Sequence, residues 1–249
     1  MVIDYPLYGE PCTLAITLWC NGKQNLQLIV EDGENDETML THRNCVVSGE
    51  RTYYVNVPVA PDLAKIELYS ENGENGSFGV DDIQVGGLKT DYSNSNFSKD
   101  EVKSFINFAE EFSYDAGSIP AEAEYTSDDG VFTISYLTNI KSNGEIVPTP
   151  ARISQNDGLI EVSKTDFLRY TIPMRMAILL HEFAHFYLNE VMEDEVEADK
   201  NSLELYLGLG YPRIDAYNVY LDVFENSPSE LNKERYEALH KMFNNEYKS

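Results

Sequence analysis

The sequence predicts an α+β protein in two parts: an N-terminal antiparallel β-sandwich, then a domain of helices packed on a small sheet. Three observations carry this expectation. Residues 1–88 hold short runs of β-branched and aromatic residues separated by turn clusters. From about residue 99, apolar residues recur at helical spacing, with two strand-like runs among them. Between the two halves lies GGLKTDYSNSNFSKD (86–100), rich in Gly, Ser and Asn, which reads as a linker over 89–98. The expected division is therefore a β domain over 1–88, a linker over 89–98, and a second domain over 99–249.

In the first part the strand-like runs are TLAITLWC (13–20), NLQLIV (25–30), RTYYVNVPV (51–59), AKIELYS (64–70) and FGVDDIQV (78–85). The turn clusters NGK, EDGEND and ENGENG separate them. Short strands punctuated in this way favour a sandwich. Pro58 and Pro61 suit a strand edge or exit, because proline donates no ladder hydrogen bond.

The second part opens with Ser98 as the expected cap of a helix, and Glu101 three residues on completes a capping box. Val102, Phe105, Ile106, Phe108, Ala109 and Phe112 then follow a helical period. VFTISYL (131–137) and GLIEVS (158–163) read as strands. Helices are expected over about 165–189, 194–207 and 212–225. A last helix should begin at SPSE (227–230), with Ser227 as N-cap, Pro228 at its first position and Glu230 closing a capping box.

Composition narrows the function. Against 43 acidic residues stand 18 basic ones, a formal net charge of -25. Phosphate contacts need Lys and Arg, so nucleic-acid binding is not expected, nor is binding to an anionic membrane surface. The longest apolar run, MAILL, is too short to span a bilayer. MVIDYPLYGEPC has neither a basic nor an apolar signal region, so no signal peptide is expected. Cys12, Cys20 and Cys45 are odd in number and irregular in spacing, which points to a reducing setting. The expected location is soluble: cytoplasmic, or within a virion-like assembly.

The chemistry concentrates in MRMAILLHEFAHFYLNEV (174–191). A helix puts residues four apart on one face, about 6 Å apart along its axis. His181 and His185 therefore address one locus, and two neutral imidazoles at that spacing suit a zinc ion. Glu182 is rotated to one side, within reach of a water on the metal, and suits the role of general base. Two of the four histidines of the chain lie here, flanked by Ile178, Leu179, Phe183 and Phe186. A core helix without a site has no use for charge and imidazole in the middle of such a run.

HEFAH on a helix, preceded by a helix and two strands, resembles the zincin metallopeptidases. After His185 the chain reads FYLNEV, without the Gly and His of the metzincin branch. The following segment, EVEAD (195–199), is similar to the ExxAD pattern of gluzincins and close to the pattern of zinc peptidases that cleave phage repressors. That resemblance implies zinc held by His181, His185 and Glu195. It implies hydrolysis of peptide bonds by a zinc-bound water that Glu182 activates. Asp199 would then accept a hydrogen bond from a ligand histidine and fix its tautomer. Glu195, Asp199, Ser202 and Tyr206 share one helical face. If two straight helices meet in a tight turn near 191, Asp199 falls opposite His185, and this makes it the rival third ligand. Glu190, Glu193 and Asp194 suit a solvated helix start.

The resemblance also implies a donor for an oxyanion, for which Tyr206, Tyr211, Arg213, Tyr217 and His240 are candidates. It implies an edge strand on which a peptide substrate lies extended, either VFTISYL or GLIEVS. His42 is expected to be unrelated. The order of strands and the closing FGVDDIQV resemble jelly-roll carbohydrate-binding modules, which implies ligand platforms at Trp19 and Tyr53 or calcium at Asp81 and Asp82. For each of these, ordinary sandwich packing or a strand-end turn is the competing reading. Two functions follow as expectations: a zinc metallopeptidase acting on a protein or peptide, or a structural subunit of a large assembly, such as a phage particle, that keeps a zinc-binding zincin fold.

Overall fold

The computed structural model describes residues 1–70, 76–226 and 229–245. The chain is α+β and separates into two compact units, one formed by Met1–Thr90 with Gly210–Pro212, the other by Asp91–Leu209 with Arg213–Ser249.

The first unit is one antiparallel sheet of five strands: β1 (Val2–Pro6), β2 (Cys12–Asp32), β3 (Asn35–Val57), β4 (Leu63–Ser70) and β5 (Phe78–Gly87). The expected strands 13–20 and 25–30 are halves of the single strand β2. NGK does not end the strand; Gly22, at φ +81°, lets the chain pass a register shift between Cys20 and Lys23 and continue. The first half of β2 pairs with β3 and β5, and the second half with β3 and β4. This doubling gives the sheet its sandwich-like character. Leu14, Ile16, Leu18, Leu28, Val30 and Val55 alternate along the strands and are fully buried. The stretch 35–50 was not expected as strand, because polar side chains break up its apolar alternation. Cys12, Cys20 and Cys45 are free thiols in this core. Trp19 packs against Gly79, where an added Cβ would sit 2.8 Å from its Nε1. The Tyr53 hydroxyl donates to Val46 O at 3.0 Å. Asp81 and Asp82 are exposed on β5, and Asp82 accepts from Gln84.

In the second unit Asn94 caps a short 3-10 turn (Ser95–Ser98), and α1 (Asp100–Asp115) follows. Ser98 does not cap this helix: its hydroxyl donates to Ser95 O at 2.6 Å, and Lys99 stands at the N-cap without a side-chain bond. β6 (Ala123–Thr126), β7 (Thr133–Leu137), the hairpin β8 (Lys141–Ser142) and β9 (Glu145–Ile146), β10 (Ala151–Ile153) and β11 (Ile160–Ser163) come next. Four of them form a sheet in the order β10-β11-β7-β6, in which β7 and β11 run parallel. VFTISYL and GLIEVS are therefore interior strands. The edge beside the helices is β10, three residues too short to leave a periodic signal.

Helices complete the unit: α2 (Lys164–Phe167), α3 (Ile172–Tyr187), α4 (Glu195–Gly208), α5 (Arg213–Asn226) and α6 (Glu230–Asn245). The stretch 165–189 splits in two because Pro173 starts a new helix. Ser227 and Pro228 lie outside the described residues, and Ser229 Oγ accepts from Asn232 N near the start of α6. α3 is the hub: Met176, Leu179, Leu180, Phe183 and Ala184 are fully buried. Phe105 of α1 stacks on Phe183 with ring centres 4.2 Å apart. Such packing fixes the roll of α3, and with it the direction of the next turn's side chains. Among the described residues no helix is long and apolar enough to cross a membrane.

Candidate metal centre

α3 and α4 pack against each other, joined by residues 188–194. That link is stapled at both ends. Leu188 and Asn189 both donate main-chain N–H groups to Ala184 O, at 3.0 and 2.9 Å. Asp194 caps α4 through Glu197 N (2.9 Å), and the Glu197 carboxylate accepts from Glu190 N at 3.1 Å. Asp194 is thus a cap, as a helix-start acid should be. Glu193 lines the rim of the cavity described below.

The staple brings Glu195 to both histidines and Asp199 to His181 alone. Among the described residues, His181, His185 and Glu195 form the one group of His, Cys, Asp or Glu whose ligand atoms all approach within 4.8 Å. His181 Nε2 and His185 Nε2 are 3.1 Å apart. Glu195 Oε2 lies 3.3 Å from the first and 3.6 Å from the second. Asp199 does not face His185, contrary to the straight-helix expectation. Its Oδ1 is 3.0 Å from His181 Nδ1, on the far side of that ring from the triangle. The contact is close but off the line of the N–H bond, since Nδ1 makes no fully aligned hydrogen bond.

The other ring nitrogens decide what the triangle offers. His185 Nδ1 lies 2.7 Å from Met192 O. A carbonyl only accepts, so Nδ1 carries the proton and the Nε2 lone pair faces inward. Asp199 has the same effect on His181. With Nε2 of both rings unprotonated, three acceptor atoms converge, an arrangement that repels itself unless a proton or a metal cation lies among them. Four ligands at the usual zinc distances of about 2.0–2.1 Å in a tetrahedron stand about 3.3 Å from one another. The three observed sides match that length, and the residues fit a zinc ion.

Without a metal, the same carboxylates hold a proton on His181 that a bound cation would replace. Burial works against charge on His181, but the Asp199 and Glu195 carboxylates outweigh it and push the imidazole up to about 10. Burial also opposes charge on Glu195, yet His181, His185 and Arg235 hold its carboxyl far below the usual range. Arg235 and His181 do the same for Asp199, which is 2% exposed. Glu182 moves the other way: burial raises its carboxyl above the ordinary value, with the two imidazoles partly offsetting this.

A cavity of about 380 Å³ opens at the triangle, with Glu182 in its wall. Ala151, Arg152 and Ile153 of β10 form one side, while Ala177, Ile178, Val219 and Val223 supply an apolar one. Ser163 N–H donates to Pro150 O and Ser154 N–H to Leu159 O, so the Ala151 and Ile153 main-chain groups turn away from β11. The Ile153 N–H reaches the Glu182 carboxylate.

Tyr206, Tyr211, Arg213, Tyr217 and His240 do not line this cavity; His240 stacks on Tyr236 instead. Tyr220 and Arg235 do line it, and neither stood out in the sequence. The Tyr220 hydroxyl is 3.0 Å from Ser202 Oγ, and its ring centre is 6.4 Å from that of His181. Arg235 Nε and Nη2 bind both oxygens of Asp199, at 2.7 and 2.8 Å, and its Nη1 is 2.9 Å from Glu195 Oε2. No family model, curated protein or solved structure matches the chain.

Proposed function

We propose that the chain is a zinc-dependent metallopeptidase of gluzincin type, with His181, His185 and Glu195 holding the metal and Glu182 as general base. The observation that supports it best is the triangle of inward-facing acceptors in a cavity that Glu182 shares. A zinc ion bound there supplies Lewis-acid polarisation of a carbonyl and lowers the pKa of water. The chain's own residues do the rest. Glu182 accepts a proton from the attacking water and returns one to the leaving amine. Its raised carboxyl pKa suits the first transfer, because a carboxylate of higher pKa is a stronger base toward the water proton. β10 offers an edge on which a substrate in extended form is laid, and the wall of Ala177, Ile178, Val219 and Val223 accepts an apolar side chain.

The test is elemental analysis of the purified chain together with proteolysis of an unfolded protein by wild type and Glu182→Gln. One zinc per chain and hydrolysis lost only in the variant are expected. No zinc in wild type would end this reading. Zinc without hydrolysis in either form would favour the alternative, a structural subunit that keeps the metal for its fold.

A further inference from the structure

Arg235 is a buried charge at the site itself that the peptidase reading leaves without a task. It comes from α6, 36 positions after Asp199, and is 7% exposed. Its guanidinium closes a ring of contacts: His181 Nδ1 to Asp199 Oδ1, Asp199 to Arg235 Nε and Nη2, Arg235 Nη1 to Glu195 Oε2, and Glu195 Oε2 back to His181 Nε2. The bond to Glu195 lands on the same oxygen that completes the ligand triangle. Three carboxylates crowd this locus, those of Glu182, Glu195 and Asp199. A fixed guanidinium relieves their repulsion whether or not a metal is present. It also stands where a second cation is repelled, because Arg235 and the metal would share one carboxylate oxygen.

We infer that Arg235 is a positioning residue that acts as a built-in substitute cation: it keeps the ligand set folded before the metal arrives, at the expense of metal affinity. The inference rests on the reading that this site takes zinc. Reciprocity gives it a sign that an ordinary brace lacks. A group that stabilises the metal-free form more than the metal-bound form weakens binding, so its removal tightens binding.

The experiment compares full-length wild type, Arg235→Met and Arg235→Lys, each stripped with a chelator. Thermal melting is followed without and with added zinc, and zinc affinity is read by competition against a chromophoric chelator. Cobalt(II) absorption reports the coordination geometry. Without metal, Arg235→Met should melt about 10 °C below wild type. Zinc should raise its melting temperature by at least about 5 °C more than it raises that of wild type, and bind it about tenfold more tightly. Cobalt spectra should be alike in both, since the ligands are unchanged. Arg235→Lys, a point charge that reaches one carboxylate at a time, should fall between them. An equal or smaller zinc-induced rise in Arg235→Met, or weaker binding, overturns the inference and leaves the zinc reading standing. If wild type takes up no zinc and zinc shifts none of the three proteins, the metal reading falls and this inference falls with it. Should Arg235→Met stay unfolded in both conditions, Arg235→Lys decides, because its zinc-induced rise must still exceed that of wild type.

Discussion

On the proposed reading, replacing Glu195 and Asp199 one at a time separates a metal ligand from its neighbour. Glu195→Gln and Asp199→Asn keep shape and remove one charge each, a single helical turn apart. The geometry assigns them unequal losses. Glu195 Oε2 stands 3.3 and 3.6 Å from the two Nε2 atoms, as a third ligand should. Asp199 touches the opposite nitrogen of His181, so it acts on the metal only through that ring. Structural zinc sites bind with about 10–16 kcal/mol over four ligands, so a one-ligand share is about 3–4 kcal/mol, a loss of about 10²–10³-fold. Partners that orient a ligand histidine are worth about 10–100-fold. Glu195→Gln should therefore cost about ten times more affinity than Asp199→Asn in a competition titration against a chromophoric chelator. If Asp199→Asn is the worse of the two, or Glu195→Gln stays within about tenfold of wild type, the ligand assignment is wrong. Stability should rank them the other way. Asp199 is 2% exposed and accepts two of the Arg235 guanidinium bonds, so its loss breaks a buried pair, at about 3 kcal/mol in urea unfolding given that Arg235 keeps Glu195.

Two further outcomes follow from the same geometry. His181 titrates higher folded, at about 10, than its ordinary 6.5, so its contribution to the stability of the chelator-treated chain is complete below 6.5 and disappears as pH rises through about 10. Urea unfolding between pH 6 and 10 should show that decline, and Asp199→Asn should flatten it; equal slopes in the two proteins would refute the pairing. Gly208→Ala places a Cβ 2.6 Å from Asp91 O and from a Phe97 ring carbon. Overpacking of about 3 kcal/mol against a main-chain carbonyl outweighs the gain of about 1 kcal/mol in helix propensity, so calorimetry should show a net loss of about 2 kcal/mol; a neutral substitution would contradict the packing at the end of α4.

The histidine pair is legible in the sequence because helical periodicity is local: the spacing of His181 and His185 fixes their common face before any tertiary contact is known. Glu195 is legible by its pattern, but which histidine each acid meets is not. That depends on the stapled link 188–194, whose Glu197 and Met192 bonds join residues through main-chain atoms. Arg235 escapes because it sits on a helix rich in charge, where one arginine looks like any solvated neighbour. The sequence sets Arg235 one turn from Leu239, but only the structure shows that both are buried and that the charge there needs a partner. β10 leaves no period at three residues. In the first unit, glycine at Gly22 reads as a turn where the chain in fact passes through a bulge, and alternation broken by polar residues hides most of β3.

The shortness of β10 has a consequence for what the site selects. Three residues of strand span about 10 Å, and Ala151 O is already engaged by Thr149 Oγ1 while Ile153 N–H is turned to Glu182. Few main-chain bonds remain, each worth about 1 kcal/mol net. Such an edge cannot repay the unfolding of a stable helix or the peeling of a strand from a sheet. On the proposed reading the protein acts on segments that are already loose, and the folded state of its target, more than the identity of any one side chain, sets which bonds are cut.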